Sequence, residues 1–188
     1  GKGPDKADCV PARVAAMFPG ATGPLVVHRL DMDTSGLLVV GLNPDAQRAL
    51  SRQFEDRAVR KAYVALVDGA IDSAESGTID LPLRLDPHHR PWQVIDYVHG
   101  RAAITHWRIM SIEHRRTRLR LEPHTGRSHQ LRVHCATALA LGGLGHAIVG
   151  DVLYGTDYRS AEAVGRLIPA PRLMLHASEL EFTDPQSG

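Results

Sequence analysis

Cysteine is scarce in this chain: Cys9 and Cys135 are the only two, and no CxxC spacing joins them. That excludes a disulfide framework and a zinc knuckle and fits a reducing compartment, so a cytoplasmic protein is expected. Long apolar runs are missing as well. Runs such as residues 37–40 and 138–141 fall far short of the ~20 residues that cross a bilayer. The opening GKGPDKADCV lacks the basic-then-apolar layout of a secretory leader. Nor is there an excess of one charge, since 22 Lys and Arg stand against 21 Asp and Glu, for a formal net charge of +1. A nucleic-acid partner therefore has to be sought in local charge rather than in the whole-molecule field. There are 11 histidines, and His124, His129 and His134 cluster, but no HxxxH or HExxH pair stands on a helix. No metal is expected.

What is present has the balance of a folded domain: 43% apolar and 23% charged residues over 188 positions can bury a core without help. Residues 1–24 read as a loop around one short amphipathic helix in CVPARVAAMF, and LLVVGL reads as a strand. Asn43 then supplies an N-cap and Pro44 a first-turn proline for a helix with Ala46, Ala49, Leu50 and Phe54 at helical spacing. KAYVALVDG is a second strand and GTIDLPLRL a third, while the Pro and His content of residues 86–100 points to a long exposed loop or a bent hairpin. AAITHWRIMSI and RTRLRLE make an antiparallel hairpin around EHR. Ser128 is the expected N-cap of a helix that stops at Gly142 and Gly143, and LMLHASELEF is a last strand after a polar stretch. The class is α+β with mainly antiparallel pairing.

Residues 28–40, HRLDMDTSGLLVV, place more charge against an apolar run than a turn requires. An Asp before a strand ordinarily hydrogen-bonds nearby backbone, and Asp33 is given that capping role. Asp31 is singled out instead. His28 and Arg29 stand beside it, Thr34-Ser35-Gly36 makes a tight turn at the strand's mouth, and the polar loop HTGRSHQLR offers a guanidinium. Along RTRLRLE, Arg116, Arg118 and Arg120 alternate with Thr117, Leu119 and Leu121 and would form a basic ridge above a core-facing row. Such a ridge is ordinarily a solvated face and gains meaning only beside a site.

Taken in order, HRLDMDTSGLLVV, RKAYVALVDG, GRSHQLRVH and GDVLYG resemble the motif set of the RluA-type family of RNA pseudouridine synthases, closest to the RluA-like branch that acts on ribosomal and transfer RNA. The likeness runs from Val26 to Phe182. It implies the pseudouridine synthase fold, a mainly antiparallel mixed sheet with helices and loops flanking a central catalytic cleft. It implies that Asp31 is catalytic, that Tyr63 packs against the target base, and that Arg132 pairs with the catalytic carboxylate. The activity implied needs no cofactor: a uridine in a stem-loop of ribosomal or transfer RNA is flipped out and isomerised. His28, Arg29, Lys61, Arg127, His129 and Gln130, together with the ridge of Arg116, Arg118 and Arg120, are then expected to contact the RNA, Arg29 by filling the gap left by the flipped base. Two other readings are an RNA-binding module without turnover, which intact Asp31, Tyr63 and Arg132 argue against, and a nucleosidase that releases the base to water.

Members of that family usually carry a leading strand with a Lys-Pro element and a further strand at the other end, and neither is seen here. One catalytic domain over residues 1–188, lacking flanking strands and an S4-like RNA-binding domain, is expected to act as a monomer. CATALALGGLGHAIVGD lengthens the segment between the Arg132 motif and Asp151, with Ala147 where relatives commonly have Pro.

Overall fold

The computed structural model describes residues 8–155 and 170–186. In chain order its elements are α1 (Val10–Met17), β1 (Ser35–Gly36), α2 (Pro44–Glu55), β2 (Arg60–Asp68), β3 (Ser76–Asp80), β4 (Leu83–Leu85), β5 (Gln93–Ile95), β6 (Ile104–Glu113), β7 (Arg116–Pro123), α3 (Gln130–Ala136) and β8 (Leu175–Glu181), with a 3-10 turn at Leu139–Leu141. The polar stretch expected between GDVLYG and the last strand lies largely outside the described residues. No helix among the described residues is long and apolar enough to cross a membrane.

The chain divides into two compact units. One comprises Asp31–Leu37 and Arg60–Leu180. Its six-stranded sheet has the order β1-β8-β2-β7-β6-β3; β2, β7, β6 and β3 pair antiparallel, whereas β1 runs parallel to β8. The class is α+β, as the strand-rich pattern predicts. Register follows from side-chain alternation: Tyr63, Ala65 and Val67 of β2 lie opposite Leu121, Leu119 and Thr117 of β7. That face is the core face, where Ala65, Val67, Leu119 and Leu121 are fully buried with Leu131 and Cys135 of α3, Ile148 and Leu173. Burying each Leu- or Ile-sized side chain contributes ~1.5–3 kcal/mol.

The hairpin between β6 and β7 turns through His114 and Arg115, both at positive φ, 50° and 60°, a two-residue turn whose twist suits the flanking strands. GTIDLPLRL is not one strand. Pro82 has no N–H for a ladder, so β3 ends at Asp80 in the large sheet and β4 starts at Leu83 in a separate two-stranded sheet with β5. Residues 86–100 are thus the bent hairpin rather than the structureless loop. The helix expected to run to Gly142 stops at Ala136, where Thr137 turns extended at ψ 134°. Gly143 lies so close to the Thr137 carbonyl that a Cβ would fall 2.2 Å from its oxygen, which folds the chain back on itself. Nor is Ser128 the N-cap: His129 holds that place in the left-handed region at φ 53°, and the Gln130 side chain accepts the Arg127 N–H at 3.0 Å instead.

The other unit comprises the chain up to Leu30, Leu38–Val59, and the chain from Glu181. The Asn43 side chain accepts the Ala46 N–H at 2.8 Å and Pro44 opens α2, as Asn-Pro predicts. LLVVGL does not form a strand of its own. Leu37 and Leu42 are exposed, and Val40 makes only an isolated antiparallel bridge to Val26, with the Gly41 N–H donating to the Leu25 carbonyl at 3.0 Å. Its apolar residues line an irregular segment, a case where short runs mislead.

Candidate active site

Asp31 sits at the first position of a turn closed by the Thr34 N–H donating to the Asp31 carbonyl at 3.0 Å. The turn is fastened to β8. Gly36, at φ 115°, approaches Ala177 so closely that a Cβ would lie 2.2 Å from the Ala177 carbonyl oxygen. One residue earlier, the Ser35 hydroxyl lies 2.9 Å from His176 Nδ1 and accepts from Arg172 Nη1 at 3.1 Å. The Leu37 N–H then donates to the Ala177 carbonyl at 2.9 Å. So anchored, the half-buried Asp31 presents a carboxylate that makes no hydrogen bond and no ion pair among the described residues. Asp33 is exposed and caps nothing among them; the backbone of Asp31 closes the turn instead.

Arg132 projects from α3 and is 2% exposed. Its fixed partner is Asp151, not Asp31: Nε donates to Asp151 Oδ2 at 2.8 Å and Nη2 to Oδ1 at 2.7 Å. This corrects the expected direct pairing with the catalytic carboxylate. The physical reason is the turn written as GDVLYG, in which Asp151 Oδ1 also accepts the Leu153 and Tyr154 N–H groups, each at 2.9 Å. A carboxylate already ordered by backbone is a ready bidentate partner for a planar guanidinium. Burial pulls the Arg132 pKa down, but the hydrogen bonds and charge of Asp151, with the negative charge of Asp31 behind them, raise it overall. The Tyr63 hydroxyl is shifted upward, first by burial and then by the Asp31 charge. Asp31, Tyr63 and Arg132 therefore share one electrostatic neighbourhood, although only Asp151 touches the guanidinium.

Tyr154 completes the support of Arg132. Its ring lies 5.2 Å beneath the guanidinium carbon, and its hydroxyl stands 2.8 Å from His129 Nδ1 and accepts the Gln93 N–H of β5 at 2.7 Å. Asp151 and Tyr154 are fully enclosed and were not singled out from the sequence, although the GDVLYG motif that contains both was. What sequence could not show is that this turn folds under α3.

Several expected RNA contacts are engaged elsewhere. Gln130 is 3% exposed with its amide satisfied on all sides: Oε1 accepts from Thr125 and the Arg127 N–H, while Nε2 donates to the Ile104 carbonyl and Thr105 Oγ1. It fastens the loop before α3 to β6 and has no group left for RNA. Arg120 is paired with both Glu122 and Glu179, which raise its pKa. The row of Arg116, Arg118 and Arg120 also lies opposite Asp68, Leu66 and Val64, on the sheet face away from Tyr63 and α3. It does not stand beside the site. The His28 ring stacks on Phe54 at 4.3 Å and its Nε2 accepts the Val39 N–H at 3.1 Å, holding the ring in its own unit. Arg29 is exposed. Lys61 is half-buried with its pKa lowered by burial, and its Nζ lies near the loop before α3, 3.6 Å from where a Cβ on Gly126 would stand. Arg127 Nε donates to the Ala102 carbonyl at 3.0 Å. Among the described residues, no group of three His, Cys, Asp or Glu side chains could hold a metal ion.

Comparisons with known proteins agree with this geometry. The profile of a family described as RNA pseudouridylate synthase matches residues 4–137. The dual-specificity RNA pseudouridine synthase RluA of Yersinia pestis is 42% identical, over 100% of this chain and 84% of its own length. The protein of the same name from Escherichia coli K12 is 43% identical over 96% of this chain and 75% of its own. Among solved structures, human RNA pseudouridylate synthase domain containing 1 matches with a TM-score of 0.72 at 34% identity, covering 91% of this chain and 67% of that one. Human RNA pseudouridylate synthase domain containing 4 matches with a TM-score of 0.66 at 26% identity, covering 89% and 71%. The sheet and its flanking helices are the pseudouridine synthase fold, and the chain belongs to the RluA-type family of RNA pseudouridine synthases, enzymes of the isomerase class.

Proposed function

We propose that the chain converts a uridine of ribosomal RNA, transfer RNA or both into pseudouridine, with Asp31 as the reacting carboxylate. The observation that carries this reading is the unpaired Asp31 side chain, whose charge acts on both Tyr63 and Arg132. The relatives' description as dual-specificity RNA pseudouridine synthases supports more than one RNA substrate.

The reaction breaks the bond from N1 to C1′, turns the uracil, and joins C5 to C1′, after which the C5 hydrogen leaves as a proton and N1 takes one up. The base has to quit the stack, and a ring face in the pocket offsets part of that cost. Tyr63 supplies the face. A carboxylate must be ionised to attack carbon or accept a proton, and enclosing it with an uncharged base disfavours that form, whereas a cation restores it. Arg132 is that cation, held by Asp151 so that its Nη1 edge, engaged by none of the described residues, remains for the substrate side. Lys61, Arg127 and Arg29 serve the RNA backbone and the emptied stack. The three central residues come from one chain, so a monomer suffices, and two thiols with no disulfide suit the cytoplasm.

RNA labelled with tritium at uridine C5 tests the reading. Release of tritium without free uracil is the expected result. Binding without release points to an RNA-binding module, and free uracil to a nucleosidase.

A further inference from the structure

After β5 the chain enters a short loop, residues 96–100, that carries two large apolar side chains into solvent: Tyr97 is 73% exposed and Val98 82%. Single exposed apolar residues need no explanation, but this adjacent pair stands on a braced support. Asp96 Oδ1 accepts the Val98 and His99 N–H groups, each at 2.8 Å, and Oδ2 is paired with Arg84. The Gly100 N–H donates to the Asp96 carbonyl at 2.9 Å and the Asp96 N–H to the Pro82 carbonyl at 3.1 Å. A Cβ at Gly100 would fall 2.1 Å from the Asp96 carbonyl oxygen, so only glycine closes the loop this tightly. The same N–H donors, His99 first and then Val98, hold the Asp96 carboxyl down at about 2, so the brace stays intact through the neutral range. An aromatic ring fixed before binding loses little conformational entropy when a partner arrives.

The chemistry around the tip selects the partner. Arg101, which bridges Leu83 at this end of the β4–β5 ladder, is exposed, as is His99. The one carboxylate of the loop, Asp96, is turned onto its own backbone and onto Arg84. Residues 96–101 therefore offer an aromatic face and a cation with their one carboxylate engaged, the combination that single-stranded nucleic acid uses for stacked bases and phosphates. β5, the strand that leads into the loop, is tied to the site at its other end. The Gln93 N–H in β5 bonds the Tyr154 hydroxyl, and the Tyr154 ring supports Arg132.

We propose that residues 96–99 form a stacking platform for an unpaired base of the substrate RNA other than the target uridine, with Tyr97 supplying the ring face. This rests on the reading of the chain as an enzyme acting on RNA and adds a second anchor that helps select the stem-loop.

The double variant Tyr97→Ala/Val98→Ser alters solvent-facing atoms alone, so its Tm should match the wild type. Its Kd for unmodified ribosomal and transfer RNA, and the KM for tritium release, should each rise about tenfold, with kcat within about twofold. The slope of log Kd against log salt should not change, because no phosphate contact is removed, and Tyr97→Phe should restore binding. Unchanged Kd in the double variant overturns the platform. So does a wild-type dimer that the variant abolishes while RNA affinity is kept, which would make the tip a contact between copies. A wild type that binds RNA but releases no tritium contradicts the enzymatic reading instead, and the Kd comparison still decides the platform.

Discussion

Arg132 and Asp151 are joined by two hydrogen bonds, at 2.8 and 2.7 Å, where neither side chain is more than 2% exposed. The guanidinium thus has a fixed partner, and Asp31 acts on it through its charge, its carboxylate making no hydrogen bond or ion pair among the described residues. On the proposed reading, holding the cation by Asp151 leaves the Asp31 carboxylate open to the substrate.

Removing Asp151 should be costly twice. In Asp151→Asn the buried guanidinium loses its counter-charge, so unfolding by urea should show a loss of ~3–5 kcal/mol. The fraction that remains folded should release tritium at least about tenfold more slowly, with RNA affinity nearly kept. Wild-type turnover in this variant would show that Arg132 needs no anchor.

Tyr63 should act through its ring. Tyr63→Phe keeps the face and should retain kcat within a few-fold, whereas Tyr63→Leu should lose about ten- to a hundredfold, the worth of one base stacked on an aromatic ring. Single-turnover rates with saturating RNA separate the two. Equal rates for Leu and wild type would make Tyr63 a core residue only.

His134 gives the fold a pH dependence. The ring is fully enclosed, with Nδ1 3.0 Å from Thr105 Oγ1 and Nε2 3.2 Å from the Leu81 carbonyl, and burial lowers its pKa to about 4. Because the folded value lies below the unfolded one, the unfolded chain takes up the proton first as pH falls. The stability is complete above about pH 6.5 and is lost progressively towards pH 4, by ~3 kcal/mol for this group. Urea midpoints measured across that range, compared with His134→Gln, should show the steeper decline in the wild type. Parallel declines would contradict it.

Much of this was legible in the residues. The β6–β7 hairpin, the Asn43-Pro44 helix start and the turn around Asp31 follow from local chemistry, which alternation, capping and tight turns express within a few positions. The partner of Arg132 was not legible, because Asp151 comes from a later turn that packing alone brings beneath α3. Gln130 misled for the same reason, as a polar residue in a polar loop says nothing of the four groups that enclose its amide. The basic ridge shows the limit of strand alternation, which tells which residues share a face but not which face holds the site.

The basic residues should divide by face. Lys61→Ala should lower the slope of log Kd against log salt by about one, while Arg120→Ala, which removes only the two ion pairs to Glu122 and Glu179 on the far face, should leave the slope unaltered and cost about 1 kcal/mol of stability. A slope that drops in Arg120→Ala and not in Lys61→Ala would place the RNA on the other side of the sheet.

The most direct measurement is tritium release from C5-labelled RNA by Asp31→Asn beside the wild type, with RNA affinity measured on both. Release should vanish while affinity stays within a few-fold, since the amide keeps the shape of the side chain and loses the charge. An Asn variant that still turns over would show that the negative oxygen at this position is not what reacts.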